Sequence, residues 1–227
     1  MKPIIGIVTR PIVSKENSNL NYVSDDLRKA IIKYGGIPIS ILSTENKTYD
    51  LDNYQDQELA INNKKDLERI LKLCDGIIFQ GGSKFYSYDK YIAKYVIEND
   101  IPALGICLGM QLLNHVDNND KSFLLNNESH YQKNKECCHE IKLIKNTLLD
   151  KIIKKDSIKV NSRHHLSIIQ LNNFRVCARS LDNTIESIYY PGKRFILGVQ
   201  FHPENNYEDS NYKLIFKSFI KECQNVR

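Results

Sequence analysis

The stretch from Ile101 to Asn114, IPALGICLGMQLLN, constrains the fold more than any other part of the chain. An apolar run of the kind that forms a strand buried on both faces reaches a cysteine between Gly105 and Gly109, and the pattern then turns helical at once. The chain must therefore bend from strand to helix at Cys107. G-x-C-x-G is the thiol version of the nucleophile elbow, in which two glycines permit a tight turn that lifts a reactive side chain above a sheet. The N-terminus of the following helix favours a thiolate through its positive dipole end and free N–H groups. A cysteine after an apolar strand is ordinarily core material. The flanking glycines and the strand-end position set this one apart.

The rest of the chain supplies the sheet that such an elbow needs. IIGIVT (4–9) reads as a buried strand, YVSDDLRKAIIKYGG as a helix with apolar positions at Leu27, Ala30, Ile31 and Tyr34, and IPISIL as the next strand. Gly35 and Gly36 are its expected stop. Ser43 to Asn63 turns polar and reads as a surface excursion before a helix through DLERILKLC. Then follow a strand, DGIIFQGGS, a helix, YDKYIAKYVIEND, the elbow strand and its helix LGMQLLNHV. Alternation of this kind builds a parallel sheet with helices on both faces. The second half changes to short strand-like pieces, ECCHEIKLI, SIKVN, FRVCARS, IESIYY and FILGVQFH, and a closing helix, NYKLIFKSFIKEC. The expected fold is α/β and three-layered: a mostly parallel central sheet flanked by helices, with a small antiparallel annex, in one domain over 1–227.

Composition narrows the function class. With 227 residues, 41% hydrophobic and 26% charged, the chain has enough apolar material for one full core. Its formal net charge of +5 is spread along the chain without a basic block or aromatic-interleaved stripe, so no nucleic-acid partner is expected. No apolar run approaches the roughly 20 residues of a membrane span, and MKPIIGIVTRP lacks signal-peptide features, so a cytoplasmic location and no membrane partner are expected. Six cysteines, of which only Cys137 and Cys138 are adjacent, show neither a disulfide framework nor zinc spacing; no metal and no cofactor are expected.

A thiolate nucleophile needs a proton acceptor and donor. GVQFHPE ends a second buried strand with His202, and Glu204 has the reach to accept its other ring N–H. Backbone N–H groups of Gly82, in FQGGS, and Leu108, just after the cysteine, are candidates for an oxyanion hole. Arg10, Lys84 and Arg163 each read as a plain surface cation.

The motifs KPIIGIVTRP, DGIIFQGGS, GICLGMQLLN, VNSRHHLSI and GVQFHPE, in that order and spanning nearly the whole chain, resemble the class I glutamine amidotransferase superfamily. Within it they resemble the gamma-glutamyl hydrolases of the peptidase C26 type. The resemblance implies a Cys107, His202, Glu204 triad and oxyanion donors at Gly82 and Leu108. It places Gln111 where the family holds the glutamyl moiety, and Asn161, Ser162, Arg163, His164 and His165 where it faces substrate. Two departures bear on the leaving group: Leu108 stands where the hydrolases often carry Arg, and the segment from Gly82 to Ile101 is short.

The activity this implies is hydrolysis of a gamma-glutamyl amide through a cysteine thioester, on a small-molecule substrate. The chain also resembles bacterial hydrolases of this type that act on a nucleotide-linked substrate, a gamma-glutamyl cytidine diphosphate amidate of capsule synthesis; on that resemblance Arg10, Lys84 and Arg163 could supply charge-assisted bonds to the diphosphate. One alternative is a glutaminase subunit feeding ammonia to a separate synthetase; no P-loop occurs in this chain, and a synthetase partner is not expected. Another is a catalytically inactive binding domain on the same fold.

Overall fold

The computed structural model describes residues 1–49, 57–132 and 138–225. In chain order the elements are β1 (Ile4–Val8), β2 (Arg10–Val13), β3 (Asn19–Tyr22), α1 (Asp25–Lys33), β4 (Ile37–Ile41), α2 (Ile61–Leu71), β5 (Gly76–Phe79), α3 (Ser87–Glu98), β6 (Ala103–Ile106) and α4 (Leu108–Asp117). There follow β7 (Leu124–Asn126), β8 (His139–Leu143), α5 (Leu148–Ile153), β9 (Ser157–Val160), β10 (Leu166–Ile168), β11 (Arg175–Ser180), β12 (Ile185–Tyr189), β13 (Ile196–Val199) and α6 (Tyr212–Gln224).

A nine-stranded sheet runs in the order β4-β1-β5-β6-β13-β12-β11-β8-β9. From β4 to β13 neighbours are parallel; from β13 to β9 they are antiparallel. Every residue of β5, β6 and β13 is buried, which is why these segments read as unbroken apolar runs. Helices cover both faces. Leu27, Ala30 and Ile31 of α1 join Ile215, Phe216 and Phe219 of α6 in one core, while α2, α3 and α4 contribute Leu67, Ile92 and Met110 to the other. Apolar residues three and four apart on each helix form the buried stripe.

The α/β, three-layer expectation holds, with a difference in the annex. Its strands β12, β11, β8 and β9 extend the main sheet, and the small separate sheets are β2/β3 and β7/β10. Neither small sheet is foreshadowed in the sequence, because β3 is wholly exposed and β7 nearly so, leaving no alternation to detect. α2 starts at Ile61, earlier than the apolar spacing indicates. α1 stops as expected, with Gly35 at φ +95°. Within the polar excursion, Tyr49 and Leu59 are buried anchors, and 50–56 lie outside the described residues, as does Cys137.

Candidate active site

The ends of β1, β5, β6 and β13, four parallel strands, bring the chemistry-bearing residues to one edge of the sheet, where ligands of open α/β sheets bind. Cys107 follows β6 and precedes α4. Its φ of 52° is in the left-handed region, a strained choice for a residue with a side chain. The neighbouring strand and helix force it: the Cys107 N–H donates to the Val199 carbonyl of β13 at 2.8 Å, while its own carbonyl accepts from Met110 and Gln111 N–H in α4. Both glycines are needed for the bend. A Cβ on Gly105 would stand 2.7 Å from the Gly109 carbonyl, and one on Gly109 only 2.0 Å from the Phe79 carbonyl oxygen.

His202 follows β13 and enters a short 3-10 helix, Pro203–Asn206, that carries Glu204. His202 Nδ1 donates to Glu204 Oε1 at 2.7 Å, and the ring and the Cys107 side chain meet beside Gly81, where a Cβ would stand 2.8 Å from His202 Cε1 and 3.7 Å from Cys107 Cβ. Burial opposes a charged ring, but the Glu204 carboxylate and Cys107 outweigh it and hold the His202 pKa well above its ordinary value. Cys107 is 7% exposed. Asn161 clamps the base: its Oδ1 accepts from the His202 N–H at 2.7 Å and its Nδ2 donates to the His202 carbonyl at 2.8 Å.

After β5, Gly81 packs on the histidine, and Gly82 lies beside Leu108: a Cβ on Gly82 would be 3.1 Å from the Leu108 side chain. The Leu108 N–H, in the first turn of α4, has no intrahelical acceptor. The loop is held by Gln80. It donates to the Val8 and Tyr22 carbonyls and accepts from the Ser24 N–H, linking the ends of β1 and β3 to the start of α1.

A family model for peptidase C26 matches residues 86–204, a span that contains the elbow, the histidine and the glutamate. The chain belongs to the peptidase C26 family. This C26 chain is 26% identical to the glutamine amidotransferase-like protein RP404 of Rickettsia prowazekii, with 99% of each chain covered. It is 29% identical to a glutamine-hydrolysing GMP synthase subunit from Sulfolobus acidocaldarius, covering 87% of this chain and all of that one. A CTP synthase of Staphylococcus saprophyticus is 27% identical over 99% of this chain and 45% of its own length. Among solved structures, a GMP synthase subunit from Thermoplasma acidophilum superposes with a TM-score of 0.65 at 17% identity, covering 98% of this chain and 95% of that one. The glutaminase domain of a Trypanosoma brucei CTP synthase with bound acivicin gives the same TM-score and identity, with 98% and 94% covered. The fold is class I glutamine amidotransferase-like.

Other expected contacts of the C26 chain fall differently. Arg10 is 2% exposed and paired with Asp89, and its Nη2 donates to the Gln80 carbonyl at 3.1 Å. It is a brace beneath the Gly81–Gly82 loop and not an open phosphate ligand, because a buried pair satisfies its charge locally. Gln111, on the first turn of α4, commits both amide N–H groups, to Leu166 O at 3.0 Å and Gln200 Oε1 at 3.1 Å. Asn161 holds His202 where substrate contact was expected, and Ser162, fully buried, donates to the His130 carbonyl. His164 is buried against His130 and Glu186, whereas half-exposed His165 pairs with Glu128 and stacks on Tyr131. Arg163 forms a β-bridge with Tyr131 and keeps a buried Nε without a hydrogen-bond partner among the described residues. Lys84 is half-buried. Sequence reasoning missed Gly81, Gln80 and Glu186. A glutamate inside the apolar strand IESIYY was the available signal for the last.

Proposed function

We propose that the chain is a cysteine-dependent hydrolase of gamma-glutamyl amide bonds. The observation that carries this reading is Cys107 on a left-handed elbow at a helix N-terminus, on the same side of Gly81 as a histidine whose Nδ1 is held by Glu204. The Cys107 thiolate attacks the gamma-carbonyl carbon and the oxyanion rests on the Gly82 and Leu108 N–H groups. His202 gives its proton to the departing nitrogen as the C–N bond breaks, leaving a glutamyl thioester. Water, deprotonated by His202, attacks the thioester carbonyl; glutamate leaves and the thiolate is restored. Glu204 keeps the ring oriented throughout.

Two finer readings differ in what leaves. In one, the leaving group carries a nucleoside diphosphate, as in the gamma-glutamyl cytidine diphosphate amidates of capsule synthesis. It is supported by the sequence resemblance and by Lys84 and Arg163, with Arg10 no longer among its ligands. In the other, the chain is a glutaminase subunit whose ammonia passes to a separate synthetase. The match to a GMP synthase subunit over that protein's full length favours it.

The deciding experiment incubates the purified chain with glutamine and with gamma-glutamyl amides bearing neutral or phosphorylated amines. Mass spectrometry then looks for a glutamyl adduct on Cys107. Turnover restricted to glutamine, and stimulated by a synthetase, selects the subunit reading. Preference for phosphorylated amines, lost in Arg163→Ala and Lys84→Ala, selects the nucleotide-linked one. No adduct and no turnover with any of them would leave an inactive binding domain.

A further inference from the structure

Behind the site, three imidazoles converge on one buried carboxylate. Glu186 of β12 is fully buried in the sheet. Its Oε1 lies 3.1 Å from His130 Nδ1, 3.1 Å from His139 Nε2 and 3.6 Å from His164 Nε2. His130 Nδ1 and His164 Nε2 are themselves 3.1 Å apart. Glu186 Oε2 is buried with no hydrogen-bond partner among the described residues.

Two of the rings hold their protons on the outer side of the cluster. His164 Nδ1 faces the Leu166 carbonyl at 3.1 Å, and a carbonyl only accepts, so the ring proton sits there and Nε2 presents a lone pair inward. His130 Nε2 donates to the Asp182 carboxylate at 2.9 Å, so in the neutral ring the Nδ1 lone pair faces inward. With both rings neutral, two nitrogen lone pairs and a carboxylate oxygen point at one another, an arrangement that needs a shared proton or a cation between them in so buried a place. A metal cation at their centre meets that need. A tetrahedron with bonds of about 2.0–2.1 Å has edges of about 3.3 Å; four of the six donor separations are 3.1 to 3.6 Å, and the ligand atoms of His130, His139 and Glu186 all lie within 4.8 Å of one another. Imidazole nitrogens with one carboxylate are the donor set of zinc and its neighbours. Asp182 on the outer nitrogen of His130 is the carboxylate partner that metal-bound histidines ordinarily keep.

We propose that His130, His139 and Glu186 bind a divalent transition metal of the zinc class, with His164 as the fourth ligand. A cleft of about 250 Å³, bordered by His130, His139 and Asp182, gives it an entry. The metal would be structural. It ties β8 and β12 to the segment 161–165, whose Asn161 clamps His202 and whose Ser162 holds the His130 carbonyl. This proposal does not depend on which amide the enzyme cleaves.

The test uses the full chain, stripped with a chelator and titrated with zinc and cobalt, in wild type and in Cys107→Ser. The second protein removes the thiol as a competing ligand. The expected result is one metal per chain by elemental analysis in both, visible cobalt d–d bands of tetrahedral type, and a raised melting temperature with metal. His139→Ala, at the partly exposed edge of the cluster, should lower zinc affinity at least 100-fold while keeping the native circular dichroism. Asp182→Asn should lower it about 10–100-fold. Zinc binding unchanged in His139→Ala, or no retained metal in wild type, would overturn the proposal and leave a protonated His130 as the charge that fills the cluster.

Discussion

A methyl group has no room at Gly81. Its Cβ would stand 2.8 Å from His202 Cε1, and that ring is pinned by Glu204 on one nitrogen and by the Asn161 clamp on its backbone. Gly81→Ala should therefore displace the ring and cost about 10²-fold in kcat, with little change in KM; steady-state kinetics on a gamma-glutamyl amide checks it. Glu204 acts on charge as well as orientation. A raised folded pKa means that the His202 imidazolium adds stability fully below its ordinary pKa of about 6.5, and loses that contribution as pH rises through the folded value. The acid step of acylation follows the same proton. The alkaline limb of the kcat/KM profile is expected well above pH 6.5 in the wild type, and at lower pH in Glu204→Gln; superimposable profiles would refute this role for Glu204. Cys107, His202 and Glu204 were legible in the sequence because two strand ends carried them in specific motifs. Gly81 was not, since the need for glycine there comes from a ring more than a hundred residues away.

The elements meet at the loop after β5, and Arg10 joins them. Its guanidinium pairs with Asp89, which also accepts the Tyr86 N–H at 3.1 Å to cap the start of α3, so one side chain links the start of β2 to α3. Breaking such a pair leaves a buried charge alone. Arg10→Ala should cost roughly 3–5 kcal/mol in urea denaturation, and Arg10→Met with Asp89→Leu should recover much of that loss. If both single and double variants unfold like wild type, the brace has no energetic role. From the sequence, Arg10 looked like a surface cation because it follows a strand, where an exposed turn is the ordinary outcome. The unforeseen β2/β3 hairpin and the Gln80 contacts bury it instead. Of the helices that were read correctly, α1, α3 and α6 owe this to amphipathic stripes and the nearly all-buried α4 to the elbow before it, whereas six-residue α5 is too short to show a stripe.

For the whole molecule, one sheet joins the parallel half that carries Cys107 to the antiparallel half that carries Glu186, with a core on each face. Truncating a large side chain far from the chemistry should weaken the whole without altering it locally. Phe219→Ala in α6, fully buried against Phe195, is expected to cost about 3–5 kcal/mol. The urea midpoint should fall, while kcat and KM of the folded enzyme stay as in wild type; a matching loss of kcat would mean that α6 supports the site directly. Tertiary pairing also decided the fate of the histidines. The absence of cysteine spacing argued against a metal, yet His130, His139 and His164 come from separate segments and meet only because β12 places Glu186 between them.

The alternation of buried strands and longer helices, and the placing of Cys107 and His202 at strand ends, were determined by the sequence alone, because periodicity, glycine spacing and strand-end motifs are local properties of a chain. Only the tertiary structure decided which polar side chains face ligand and which face each other. Arg10, Asn161 and His164 carry side chains suited to either use, and what settles it is the burial and pairing imposed by residues distant in sequence, Asp89, His202 and Glu186.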